Sequence, residues 1–121
     1  MKTNSKTVFC DIDGTIFKHI KFAYEVGDIN PQKDLLPGVR EQFEDWNSKD
    51  YIIVLTTGRP PSMREITHQQ LQSVGLFYHE LVMGLPRGPR VLINDLKPGS
   101  EERTAVALNL TRDTGMKDIN I

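Results

Sequence analysis

A single cysteine, Cys10, occurs among the 121 residues, and that scarcity excludes an internal disulfide framework or a cysteine-based zinc site. A reducing, cytoplasmic compartment fits such a count. Long apolar runs are missing as well. Stretches such as Tyr51–Leu55 stop far short of the roughly 20 residues that a bilayer crossing needs, so no membrane partner is expected. Polar Met1–Thr7 lacks the apolar core of a signal peptide, and no secretory leader is expected there. Neither sign of charge dominates: 15 Lys and Arg stand against 16 Asp and Glu, a formal net charge of -1. Without a basic surplus to hold a polyanion, nucleic acid is not an expected partner. Repeats, low-complexity tracts and long charge blocks are also lacking, which leaves no linker to divide the chain. With 38% hydrophobic and 26% charged residues, residues 1–121 are read as one domain able to bury its own core.

What is present alternates between two patterns. Thr7-Val-Phe-Cys-Asp-Ile12 is a β-rich apolar run stopped by Asp13-Gly14, and it reads as a buried strand. Thr15 to Asn30 has no clean period and holds Gly27-Asp28, so a loop or small hairpin is expected. Leu35-Leu-Pro-Gly38 introduces a helix with Val39, Phe43 and Trp46 on one face. Tyr51-Ile-Ile-Val-Leu-Thr56 is the strongest strand, closed by Thr57-Gly58. Pro60-Pro61 suits a helix start, where a missing N–H costs nothing. Met63, Ile66, Leu71 and Val74 give that helix its apolar side, and Gly75 ends it. Glu80-Leu-Val-Met83 and Arg90-Val-Leu-Ile93 read as short strands with a turn between them. Thr104 to Leu110 has a period of two that favours a last strand, with a helix through the alanines as the alternative. Strands alternating with helices imply an α/β fold, a parallel sheet with helices on both faces.

Asp11, Asp13, Thr57, Asn94 and Asp95 all fall at or just past the carboxyl ends of these expected strands, where open α/β sheets bind ligands. Asp11-Ile-Asp13 offers two acids on one strand face, or one side chain and one backbone carbonyl if the chain turns at Gly14. Asp95 makes the set anionic and all-oxygen, which suits a hard cation such as Mg²⁺ better than zinc. An isolated Asp-x-Asp before Gly is more often a turn beside a surface acid. A third acid, and Thr57-Gly-Arg59 at another strand end, reverse that judgement. An EF-hand loop counted from Asp11 fails, because Ile16 stands where Gly is required and Phe22 where Glu is. The Asp-x-Asp of nucleotide-sugar glycosyltransferases belongs to much larger domains. A signalling receiver does not place Gly and Thr directly after its acids.

Asp11-Ile-Asp-Gly-Thr15, Val54-Leu-Thr-Thr-Gly-Arg59 and Val91-Leu-Ile-Asn-Asp95 resemble the first, second and fourth motifs of the haloacid dehalogenase superfamily of phosphohydrolases. The resemblance implies a Rossmann-like three-layer sandwich and a Mg²⁺-dependent phosphatase of phosphoric monoesters. It makes Asp11 the nucleophile that becomes an aspartyl-phosphate, and Asp13 the general acid and then base. It places Mg²⁺ on Asp11, the Asp13 carbonyl and Asp95, offsetting the repulsion between nucleophile and phosphate dianion. Asn94 would orient Asp95 or complete the metal shell. The Thr57 hydroxyl, the Gly58 N–H and the N–H groups of Ile12 to Thr15 would bind phosphoryl oxygens.

The family's third motif normally supplies a lysine, and Leu85 stands where it is expected. Arg87 and Arg90 are the nearby cations. Arg90 precedes an expected strand and would point away from the site, whereas Arg87 follows the Leu81–Met83 strand on the catalytic side. Arg87 is therefore the expected phosphate-binding substitute, with Lys97 or a second subunit behind it. Arg59 and Arg90 are weaker substrate contacts, and Arg59 is equally readable as a structural ion pair. His19, His68 and His79 lack metal-ligand spacing and read as surface or loop residues. Phe22, Tyr24, Phe77 and Tyr78 read as core or loop packing, and Cys10 as buried and inert beside Asp11.

Neither Gly14–Thr56 nor Arg59–Val82 has room for the family's cap domains, so a minimal capless member is implied. Its open site suits a macromolecular phosphate, or a small substrate enclosed by a neighbouring subunit of a homo-oligomer. Around Leu35-Leu-Pro-Gly38 and Ile93-Asn-Asp95 the chain is similar to short members linked to surface-polysaccharide assembly. A small phosphorylated metabolite such as a sugar phosphate is accordingly the expected substrate. A polynucleotide end or a phosphoprotein is the alternative with the same chemistry. A non-catalytic binding module is the alternative of another class, favoured by the missing lysine and opposed by Asp11, Asp13, Thr57 and Asp95.

Overall fold

The computed structural model describes residues 5–121. Three strands, β1 (Thr7–Asp11), β2 (Ile52–Thr56) and β3 (Glu80–Val82), form one parallel sheet in the order β1-β2-β3. Register sets Asp11 beside Thr56, and Thr56 beside Val82. Parallel neighbours need long crossovers. The first passes through a 3-10 segment (Ala23–Asp28), α1 (Pro31–Asp34) and α2 (Val39–Ser48). The second passes through a 3-10 turn (Pro61–Met63) and α3 (Arg64–Ser73). The α/β class is the one the alternating patterns imply. The expected loop over Thr15 to Asn30 is present as bends and the 3-10 segment, tied down by single backbone bridges from Phe17 to Asp13 and Leu35.

Strand alternation sorts the sheet into two faces. Val8, Cys10, Ile53, Leu55 and Leu81 are buried in one cluster with Val39, Phe43 and Trp46 of α2 and Leu71 and Val74 at the end of α3. The rings of Phe43 and Trp46 pack 5.0 Å apart. The other face carries Phe9, Ile52 and Val82, all exposed, beside half-buried Val54. Among the described residues no helical layer covers it.

The strands expected over 90–93 and 104–110 do not form, nor does the alternative helix through the alanines. Val91 and Ile93 are 80% and 87% exposed. Alternation confers only a fit to a pleated surface; a strand also needs a paired edge, and these stretches have none among the described residues.

The last ten residues return to the body of the fold. The Met116 N–H donates to the Pro37 carbonyl, and the Gln42 side chain donates to the carbonyls of Met116 and Ile119. Gly38 starts α2 at φ 79, and a Cβ there would stand 2.6 Å from the Lys117 backbone. Only glycine allows that approach. No helix among the described residues is long and apolar enough to cross a membrane.

Candidate active site at the strand ends

Asp11 is the last residue of β1, on the face turned away from the helices. The buried Ile12 carbonyl accepts the N–H groups of Thr15, Ile16 and Phe17 at 3.2, 2.8 and 3.2 Å. That tight turn presents Asp13 toward the loop after β2. There Arg59, 3% exposed, grips it with a two-pronged fork: Nε to Oδ2 at 2.9 Å and Nη2 to Oδ1 at 2.7 Å. Nη1 of the same guanidinium donates to Thr67 Oγ1 and Gln70 Oε1 at 3.0 and 2.7 Å. Gln70 in turn donates to the Val26 carbonyl. Of the two readings open for Arg59, the ion pair is the observed one.

Burial is the largest influence on the Asp11 carboxyl and holds it above the usual carboxylate range. The neighbouring Asp13 charge acts in the same direction, while the Ile12 N–H, Arg90 and the Thr15 hydroxyl oppose it. Thr15 Oγ1 donates to Asp11 Oδ2 at 3.4 Å. Thr57 is buried just past β2, its hydroxyl accepting the Arg59 N–H at 3.1 Å and keeping its own proton to donate. Its carbonyl accepts the Leu85 N–H at 3.1 Å, which draws the turn after β3 to the same end of the sheet. Gly58 lies exposed between them. The structure thus gathers Asp11, Asp13, Thr15, Thr57, Gly58 and Arg59.

The two arginines of the following turn are held differently. Arg87 Nη2 donates to the Lys21 carbonyl at 3.4 Å, whereas Arg90 exerts the electrostatic pull on Asp11. Arg90 would point away from the site only at the start of a strand. No strand begins there, and Nη1 of Arg90 instead donates to the carbonyls of Pro86 and Gly88.

Asn94 and Asp95 lie in the exposed segment. The Asn94 amide donates to the Thr104 carbonyl, and the Thr104 hydroxyl donates to the Asp95 carbonyl. Among the described residues no group of three or more acids, histidines or cysteines stands together. The Asp11 carboxylate and the Asp13 carbonyl, both expected as metal ligands, are oxygen donors. Both are of the hard type that Mg²⁺ takes.

His79 Nδ1 accepts the Ile53 N–H, and His68 pairs with the Tyr78 hydroxyl at 2.5 Å. Burial pushes the Cys10 thiol far up, with the Asp11 charge adding to it, so it stays protonated and inert. Phe22 and Tyr24 do not pack in the core; they stack on each other in the open, 5.4 Å apart. Phe77 is likewise exposed. A hollow of about 480 Å³ lined by Asn47, Tyr51, Ile52 and His79 lies at the amino end of β2, opposite the acids. Sequence reasoning missed Thr67 and Gln70, which carry no motif. It also missed the 111–116 segment, whose Asp113-Thr-Gly115 turn signal was there to be read.

Compared with known proteins, the chain matches no family model, no curated protein and no solved structure.

Proposed function

We propose that this protein is a Mg²⁺-dependent phosphomonoesterase of small phosphorylated metabolites, sugar phosphates foremost, working through an aspartyl-phosphate on Asp11. The observation that carries the reading is the junction of Asp11, Asp13 and Thr57 at adjoining strand ends, fixed by the Arg59 fork. Asp11 attacks phosphorus, and the new P–O bond forms as the bond to the leaving oxygen breaks. Asp13, released from the Arg59 fork as substrate binds and then protonated, delivers its proton to that oxygen. As carboxylate it then takes a proton from water, whose oxygen displaces Asp11 and releases inorganic phosphate.

Thr57 donates its O–H to a phosphoryl oxygen, and Gly58 offers its N–H beside it. Arg90, the cation that acts on Asp11, takes the place of the missing lysine. Asp11, the Asp13 carbonyl and Asp95 would hold Mg²⁺, which when bound offsets the negative charge that gathers there. For Asp95 to arrive, the 89–110 segment packs against the uncovered side of the sheet beside β1. That movement completes the three-layer sandwich, and a cytoplasmic setting belongs to the same reading.

The test is phosphate release from a panel of sugar phosphates and from nitrophenyl phosphate in Mg²⁺, with Asp11→Asn beside the wild type. Turnover that the variant abolishes is expected. No release from any substrate, or an unimpaired Asp11→Asn, would overturn the reading. The first result would favour a non-catalytic binding module, in which Asp13 stays locked to Arg59.

A further inference from the structure

The loop after β1 is flanked by a cation that none of the strand-end motifs contains. Arg112 packs its stem on Gly14: its Cγ lies 3.2 Å, and its Cδ 3.9 Å, from where a Cβ on that glycine would stand. The placement is held by the residues that follow it. The Asp113 N–H donates to the Gly14 carbonyl at 2.9 Å, and the Asp113 carboxylate accepts the His19 N–H at 2.7 Å. Asp113 takes a left-handed conformation, φ 64, to do so. Met116 then anchors the segment in the core and on Pro37. The Arg112 backbone is therefore fixed against the turn that carries Asp13, while its side chain stays exposed. Among the described residues its guanidinium has neither a hydrogen bond nor an ion pair.

We propose that Arg112 determines specificity by binding a second anionic group, a carboxylate or a phosphate, on the leaving portion of the substrate. The inference rests on the phosphatase reading above. Asp13 handles the leaving oxygen in that reading, and Gly14 follows it directly, so a cation on Gly14 stands on the leaving-group side. A planar guanidinium matches either anion with two parallel hydrogen bonds. Its backbone is already ordered, which lowers the entropic cost of using it. Arg87 and Arg90 approach instead from the turn after β3, and each of the three Arg59 side-chain nitrogens is already engaged within the fold.

Matched substrate pairs test the assignment: glycerol phosphate against phosphoglycerate for a carboxylate, and a hexose monophosphate against its bisphosphate for a phosphate. Arg112→Met keeps a stem against Gly14 and removes the charge; Arg112→Lys keeps both but loses the fork. In Arg112→Met, kcat/KM for the doubly anionic member of at least one pair should fall about tenfold to a hundredfold more than for its partner. Most of that loss should lie in KM, and Arg112→Lys should recover part of it. The responding pair identifies the anion. Equal losses within both pairs, or no loss in either, would overturn the role of Arg112 and leave the phosphatase reading standing. A wild type that hydrolyses none of the four would overturn both.

Discussion

Arg59 serves three side chains through one planar group, with Asp13 on two donors and Thr67 and Gln70 on a third. Removing a guanidinium from water costs several kcal/mol, offset here because each of its nitrogens meets a partner. Arg59→Met would leave Asp13, Thr67 and Gln70 facing one another without it, and unfolding free energy should fall by about 3–5 kcal/mol in urea titrations. Arg59→Lys should recover only part, because an ammonium is a point charge rather than a fork. A loss below about 1 kcal/mol would rank the network with surface ion pairs. Asp11 has the opposite character. Burial raises its carboxyl above the ordinary range, so the folded chain holds that proton more tightly than the unfolded chain does. The resulting stability is fully present below the unfolded value and is lost as pH rises through the raised folded value. Metal-free Asp11→Asn should therefore melt higher than the wild type at neutral pH and match it in acid. Thermal melts at the two pH values check the sign, and equal differences at both would contradict it.

Elements that carry their own pattern are legible before any partner is known. Val39, Phe43 and Trp46 share a helix face by spacing alone, and all three are buried. The apolar centre of Tyr51–Thr56 becomes β2, and the motifs at the ends of β1 and β2 travel with their strands. What depends on two separate pieces of chain meeting was not legible. The Arg59 fork needs the turn at Ile12 to aim Asp13 at the next loop. The place of Arg112 needs the C-terminal segment to close on Gly38. The stretch 90–93 has the composition of a strand without a partner edge. Gly38 is where the C-terminal contact is decided, and Gly38→Ala combines a disfavoured φ of 79 with a Cβ 2.6 Å from the Lys117 backbone. The backbone must shift there, so a destabilisation above about 1 kcal/mol is expected in denaturant titrations. Amide exchange at Met116 should speed up by more than exchange in β2, because the contact with the tail is what is lost. Uniform acceleration would place the effect in α2 instead.

The whole molecule exposes two apolar surfaces that belong to one chain. Phe9, Ile52 and Val82 lie open on the uncovered sheet face, at 57%, 42% and 41% exposure. Val91, Leu92, Ile93, Leu96, Val106 and Leu108 lie open in the segment beyond β3. Large exposed apolar surfaces on a small protein mark places where something packs. Docking one surface on the other would remove both from solvent and carry Asp95 toward Asp11, at the cost of ordering the segment. A cation bound between those acids favours only the docked form, and so shifts the balance by mass action. Lys97 and Arg103, both exposed in the segment, report on that balance through trypsin. In metal-free protein they should be the first bonds cut, since a stretch with little buried surface opens most readily. Mg²⁺ at ten times its dissociation constant should slow those cuts by roughly tenfold. In Asp95→Ala the metal-free rate should stay as it is and the protection should disappear. Cutting that is equally fast in the wild type with and without Mg²⁺ would mean that Asp95 does not bring the segment to the sheet, and the third metal ligand would have to come from elsewhere.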